Sequence, residues 1–188
     1  GVDFTGETPG VIRTDPGCSS CLASLSIGYG VGASPLQMAA AFAAIGNDGV
    51  WTEPSLVQSI LDVDGRRTDM VASTRRAVSE DTAWAIRQML LNVVVEGTGQ
   101  SAAVPGYTVG GKTGTSDKLD ENGQYIDETM ASFVGMAPIS DPKVVVAVVV
   151  DNPAWEYRTG GAAAAPAFSV VMEAALHSLG VAPDVDPG

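Results

Sequence analysis

Gly106-Tyr107-Thr108-Val109-Gly110-Gly111-Lys112-Thr113-Gly114-Thr115 is the stretch on which the reading of this chain turns, and it supports two incompatible structures. Gly106 through Thr113 fits G-x-x-x-x-G-K-[ST], the loop that cradles phosphates, without a mismatch. Val144 to Val150 followed by Asp151 even resembles the apolar strand and terminal carboxylate that hold magnesium in such proteins. A phosphate loop, however, lies between a buried strand and a helix whose N-terminus faces the phosphates. Gly99 to Pro105 makes a poor central strand, and Gly114 to Gly123 lacks the apolar face a helix needs. The flanks therefore favour the other structure, a glycine-rich strand that ends in Lys112-Thr113-Gly114-Thr115, and leave nucleotide binding as the remote alternative.

Outward from that strand the pattern mixes sheet and helix. Tyr107 to Thr115 reads as extended, Met130 to Met136 alternates, and Lys143 to Val150 is nearly pure valine, as in a strand covered on both faces. Ser140-Asp141-Pro142 joins the last two tightly, so they should pair antiparallel. A closing helix near Ala163 to Leu179 enters through Pro166 and stops at Gly180, and the tail, residues 183–188, should fray. Upstream, Ser79 caps a helix with Glu80 and Asp81 at its positive end. Ala83, Trp84, Ile86, Met89, Leu90, Val93 and Val94 give its expected buried stripe, and Glu96-Gly97-Thr98-Gly99 ends it. Ser55 to Val63 followed by Asp64-Gly65 reads as a hairpin. Ser34, Pro35 and Gln37 make a capping box for a helix that is apolar nearly all round from Leu36 to Ile45, and therefore expected at the centre. Residues 1–33 carry turn chemistry without a sustained period.

Composition narrows the function. The chain has 188 residues, 45% of them apolar, and can hide roughly 70% of its unfolded surface, so it needs no metal or disulfide net to hold a core. A net charge of -12 with three lysines argues against nucleic acid as a partner, because that affinity comes from clustered basic residues. Pro16 to Asn47 is uncharged for 32 residues, yet Pro35, Gln37 and several Gly and Ser suit protein interior better than lipid. The start at Gly1-Val2 reads as that of a piece of a longer chain.

Four segments in order, Ile27–Val31 with Ser34–Gln37, Glu96–Gly99, Lys112–Thr115 and Ala131–Pro138, resemble the penicillin-binding proteins, and specifically the class B transpeptidases. The likeness runs from about Asp3 to Gly180, so residues 1–182 read as the C-terminal part of a transpeptidase domain. It implies an α/β (α+β) fold, an antiparallel sheet with helices, incomplete here. It also implies D-alanyl-D-alanine transpeptidation of peptidoglycan through an acyl-serine, β-lactams as suicide substrates, no cofactor and no metal. Lys112 would set a positive charge beside the substrate carboxylate, and the hydroxyls of Thr113 and Thr115 would hydrogen-bond it. Gly110, Gly111 and Gly114 would let an extended peptide approach the strand edge, and the Thr115 N–H would be one oxyanion-hole donor. The implied partners are the stem peptide, β-lactams, the missing N-terminal half of the domain and cell-wall synthesis proteins of division or elongation. The implied place is the outer face of the cytoplasmic membrane, with an anchor outside this chain.

The departures are as informative. The family's nucleophile lies in S-x-x-K at a helix start, with a second S-x-N motif; no S-x-N occurs, and the single S-x-x-K, Ser140 to Lys143, falls in a hairpin. The chain alone is therefore expected to be inactive and a poor independent folder. A β-lactamase-like hydrolase and a non-catalytic β-lactam sensor share the strand and remain alternatives. Cys18 and Cys21 form C-x-x-C, open to redox chemistry, half a zinc site or a local disulfide, the last favoured outside the cytoplasm. The five carboxylates and Lys118 between Ser116 and Glu128 read as a solvated loop at the rim, and Trp51, Trp84 and Trp155 as core or rim packing.

Overall fold

Three consecutive segments rich in small and β-branched residues build the main sheet of the computed structural model, which describes residue 2, residues 6–12 and residues 21–185. In chain order the described elements are β1 (Val11–Ile12), α1 (Cys21–Ser26), β2 (Val31–Gly32), α2 (Pro35–Gly46), β3 (Val50–Thr52), β4 (Ser59–Leu61) and β5 (Arg67–Asp69). They continue with β6 (Thr74–Arg76), α3 (Glu80–Val95), β7 (Gly110–Leu119), β8 (Tyr125–Ala137), β9 (Val144–Asp151) and α4 (Gly160–Ser178). The sheet runs β7-β8-β9 with both pairs antiparallel, while β1-β2, β3-β6 and β4-β5 are separate two-stranded pairs.

The period of two along β8 splits the core between the two faces of the sheet. Phe133 meets Phe168 of α4 edge-on at 4.7 Å between ring centroids, and Met172 and Leu176 extend this layer over Val144, Val146, Val148 and Val150. On the other face Met136 and Val145 pack with Leu90 of α3 and with Phe42 and Ile45 of α2. The valine strand is thus covered on both sides over most of its length, as its composition predicts, and only Val149 is markedly exposed.

Several expectations are corrected. Helix α2 forms with its capping box, Ser34 Oγ accepting from the Gln37 N–H at 3.1 Å and Gln37 Oε1 from the Ser34 N–H at 2.9 Å, yet it is not central. Ala44 alone is fully buried, and Leu36, Ala40, Ala41 and Ile45 line an open groove with Trp51 and Pro54. On α3, Trp84 and Met89 are 57% and 64% exposed, and the buried stripe is Ala83, Arg87, Leu90 and Val94. Arg87 fits there because its guanidinium donates to Asp48 Oδ1 at 2.8 Å and to the Gly46 carbonyl at 3.2 Å, so the burial of a charge is matched by acceptors. The segment after Lys112-Thr113-Gly114-Thr115 is not a loop. β7 starts at Gly110 rather than Tyr107 and runs on to Leu119, where Lys118 meets Glu128 at 2.8 Å and Asp151 at 3.0 Å, carboxylates of β8 and β9. α4 starts at Gly160, and Pro166 lies on its exposed side in the second turn. The first 33 residues hold β1, α1 and β2 among their described positions.

The tail is also tied down rather than frayed as far as it is described. The Asp184 and Val185 N–H groups donate to the Gly106 carbonyl at 3.1 and 3.3 Å, and the Tyr107 hydroxyl donates to the Val181 carbonyl at 2.7 Å. The Asp184 carboxylate accepts from the Thr108 N–H and the Ser140 hydroxyl, each at 2.7 Å, and from the Thr108 hydroxyl. Partial burial pushes this carboxyl up, but the bonds from Thr108 and Ser140 together outweigh it and hold it below the ordinary aspartate value. A lowered folded-state pKa means that the contribution is present above the unfolded value, near 4, and is lost as pH falls through the folded one. Asp184→Asn should therefore lower the melting temperature of the complete protein at pH 7, by about 1 kcal/mol of stability or less because the exposed carboxylate is screened by solvent. The gap from the parent should close as melts are taken towards pH 3; a gap that persists unchanged there rejects the charged clasp.

Candidate functional site

Lys112-Thr113-Gly114-Thr115 lies in the middle of β7, paired with Val134, Phe133, Ser132 and Ala131 of β8. Its other edge has no strand partner among the described residues. Gly110 and Gly111 are buried, Thr113 and Gly114 half-buried, and Lys112 and Thr115 exposed. The strand therefore sinks into the core at Gly110 and Gly111 and surfaces from Lys112 to Thr115. Alternation puts Lys112 and Gly114 on the face that α2 and α3 cover further along, and Thr113 and Thr115 on the α4 side.

Local contacts fix each group. Lys112 Nζ donates to the Thr113 carbonyl at 3.0 Å and reaches Thr113 Oγ1 at 3.4 Å, so the ammonium is folded back along its own strand. Thr113 Oγ1 lies 2.8 Å from Thr98 Oγ1. Thr115 Oγ1 accepts from the Gly160 N–H at 3.2 Å, which ties it to the first turn of α4. No Cβ would fit at Gly160, where it would meet the Ser132 carbonyl and lie 2.6 Å from the Gly114 carbonyl, whereas at Gly114 it would meet only the Ser132 hydroxyl, a side-chain end that can turn aside. Two backbones thus pass each other at the motif as closely as backbones can.

This arrangement excludes the phosphate loop. Gly110 to Thr113 is strand, the chain runs straight on in β7, and no helix starts directly after Thr113 as a phosphate loop requires. The S-x-x-K match lies between β8 and β9 rather than at a helix start: the Ser140 hydroxyl is bonded to Asp184, and Lys143 pairs with Asp141 at 2.5 Å. Cys21 opens α1 and is disulfide-bonded, whereas Cys18 lies outside the described residues. Trp155 is exposed, with the Arg158 guanidinium 4.3 Å over its ring. Sequence reasoning missed Thr98, Ser132, Gly160 and Gly161 as parts of the site. The usable signal was Thr159-Gly160-Gly161, a cap followed by two poor helix formers, which makes sense only where a helix must start hard against another backbone.

Comparison with known proteins matches residues 1–173 to the penicillin binding protein transpeptidase domain. The chain is 38% identical to stage V sporulation protein D of Bacillus subtilis, over 97% of its own length and 29% of that protein. To the probable peptidoglycan D,D-transpeptidase PenA of Neisseria flavescens it is 36% identical, over 96% of its length and 43% of that protein. Among solved structures, penicillin-binding protein 3 of Mycobacterium tuberculosis complexed with ampicillin superposes with a TM-score of 0.88 at 35% identity, covering all of this chain and 44% of that one. The chain therefore spans less than half the length of these relatives.

Proposed function

The chain belongs to the penicillin-binding protein transpeptidase domain family, and from that premise we propose that the protein it is part of is a peptidoglycan D,D-transpeptidase. The observation that carries this reading is the open edge of β7, where a lysine, two hydroxyls and glycines stand together beside the first turn of α4. An extended stem peptide can add to that edge through main-chain hydrogen bonds, with its terminal carboxylate near Lys112, Thr113 and Thr115. In the proposed reaction a serine oxygen attacks the carbonyl carbon of the D-alanyl-D-alanine bond, and the Thr115 N–H donates to the oxyanion. The terminal D-alanine leaves as an amine, and an acceptor amine then takes the acyl group and frees the serine. A β-lactam enters the same cleft, but its opened ring keeps the leaving nitrogen tethered.

The nucleophile and the S-x-N motif are assigned to residues outside these 188, in the other half of the domain. No helix among the described residues is long and apolar enough to cross a membrane, and the anchor is likewise assigned elsewhere. Action at the outer face of the cytoplasmic membrane, together with other cell-wall synthesis proteins, completes the reading. A fluorescent penicillin should label the complete protein in a hydroxylamine-sensitive adduct and leave the 188-residue chain unlabelled. A stoichiometric adduct on the chain alone overturns the assignment of the serine. Cross-linked product from a stem peptide and an acceptor amine is expected; hydrolysis alone would make it a hydrolase, and acylation without turnover a sensor.

A further inference from the structure

The Thr98 side chain, on the turn between α3 and β7, touches the motif from outside its own strand. Thr98 is firmly placed: the Gly97 N–H donates to the Asn92 carbonyl at 3.1 Å and the Gly99 N–H to the Val93 carbonyl at 2.9 Å, which folds the turn back onto the end of α3. The Thr98 carbonyl faces Gly161, where a Cβ would come within 2.5 Å of it, so the turn is closed in from the α4 side as well. Its hydroxyl lies 2.8 Å from Thr113 Oγ1, and either oxygen can be the donor.

Donor and acceptor counting decides which one gives once a carboxylate is present. An ionised carboxylate only accepts, so Thr113 serves it only by donating its single hydroxyl hydrogen. The bond to Thr98 must then run from the Thr98 hydroxyl to Thr113 Oγ1, whose remaining lone pair faces Lys112 Nζ at 3.4 Å. On the transpeptidase reading above, we infer that Thr98 is a positioning residue of the carboxylate subsite: it donates to Thr113 Oγ1 and thereby turns the Thr113 hydrogen towards the substrate carboxylate. Two donors onto one oxygen polarise its own O–H and strengthen the bond that oxygen gives. Thr115 is set in the same way by the Gly160 N–H, which occupies one of its lone pairs and leaves its hydrogen to donate.

The test uses the complete protein and two β-lactams that differ only in whether the carboxylate is free or methyl-esterified. Thr98→Val keeps the branched shape and removes the hydroxyl, so it should slow acylation by the free acid by about three- to tenfold. It should leave acylation by the ester within about twofold of the parent, and Thr98→Ser should restore the parental rate with the acid. Equal losses with both compounds would make Thr98 a packing residue and overturn the inference, as would parental rates for Thr98→Val. A parent that neither compound acylates fails the transpeptidase reading itself, and this inference with it.

Discussion

Lys112→Ala and Thr115→Ala, each made in the complete protein, should differ by an order of magnitude or more in the rate at which a β-lactam acylates the serine. Lys112 is exposed and folded back along β7, with its ammonium anchored, among the described residues, to the carbonyl and hydroxyl of Thr113. The other lysine of β7, Lys118, is held by Glu128 and Asp151, so the loss of Lys112 removes the positive charge at the motif itself. Removing such an electrostatic contributor from a cleft lowers rate by about 10²–10³. Thr115→Ala deletes one hydroxyl and its contact with the Gly160 N–H but keeps the main-chain N–H proposed for the oxyanion. A single neutral hydrogen bond contributes about 0.5–1.5 kcal/mol, so the loss should be about tenfold or less. Rate constants measured with the same compound decide it. Equal damage from the two substitutions, or a parental rate for Lys112→Ala, removes the division of roles proposed for this strand.

What the sequence made legible follows from the range of the forces involved. Capping at Ser34 and Ser79, the β4-β5 turn, where Asp62 Oδ1 accepts from the Asp64 and Arg66 N–H groups, and the antiparallel β8-β9 pair rest on residues a few positions apart. The strand identity of Lys112 to Thr115 was readable because its flanks ruled out the alternative. Burial was less readable, because it depends on partners far along the chain. Arg87 is buried by Asp48 and Gly46, about forty positions away, and periodicity alone assigns that place to an apolar residue such as Trp84. The tail misled for the same reason: Pro183 and Asp184 look like the end of order, yet Asp184 finds its donors at Thr108 and Ser140. Within the candidate site, the residues on β7 were singled out from the sequence, while Thr98 and Gly160, which contact them from other elements, were not.

Gly160→Ala should be among the most damaging single methyls added to this chain. The new carbon would fall on the Ser132 carbonyl and within 2.6 Å of the Gly114 carbonyl and 3.0 Å of the Gly114 nitrogen. All three are backbone atoms of a paired sheet, so no side chain can turn aside to make room. Either the first turn of α4 lifts off β7 or the strand bends, and both break the bond from the Gly160 N–H to Thr115 Oγ1. Overpacking of this kind typically costs about 1–3 kcal/mol, which should appear as a drop of several degrees in melting temperature. The kinetic loss should be larger in proportion, because displacing a reactive motif by about 1 Å is enough to lower rate by about 10²-fold. Pro166→Ala on the exposed side of the same helix supplies the control and should acylate at the parental rate. If Gly160→Ala melts and acylates like the parent, the close passage of α4 over Gly114 is not what holds the Lys112 to Thr115 strand in place.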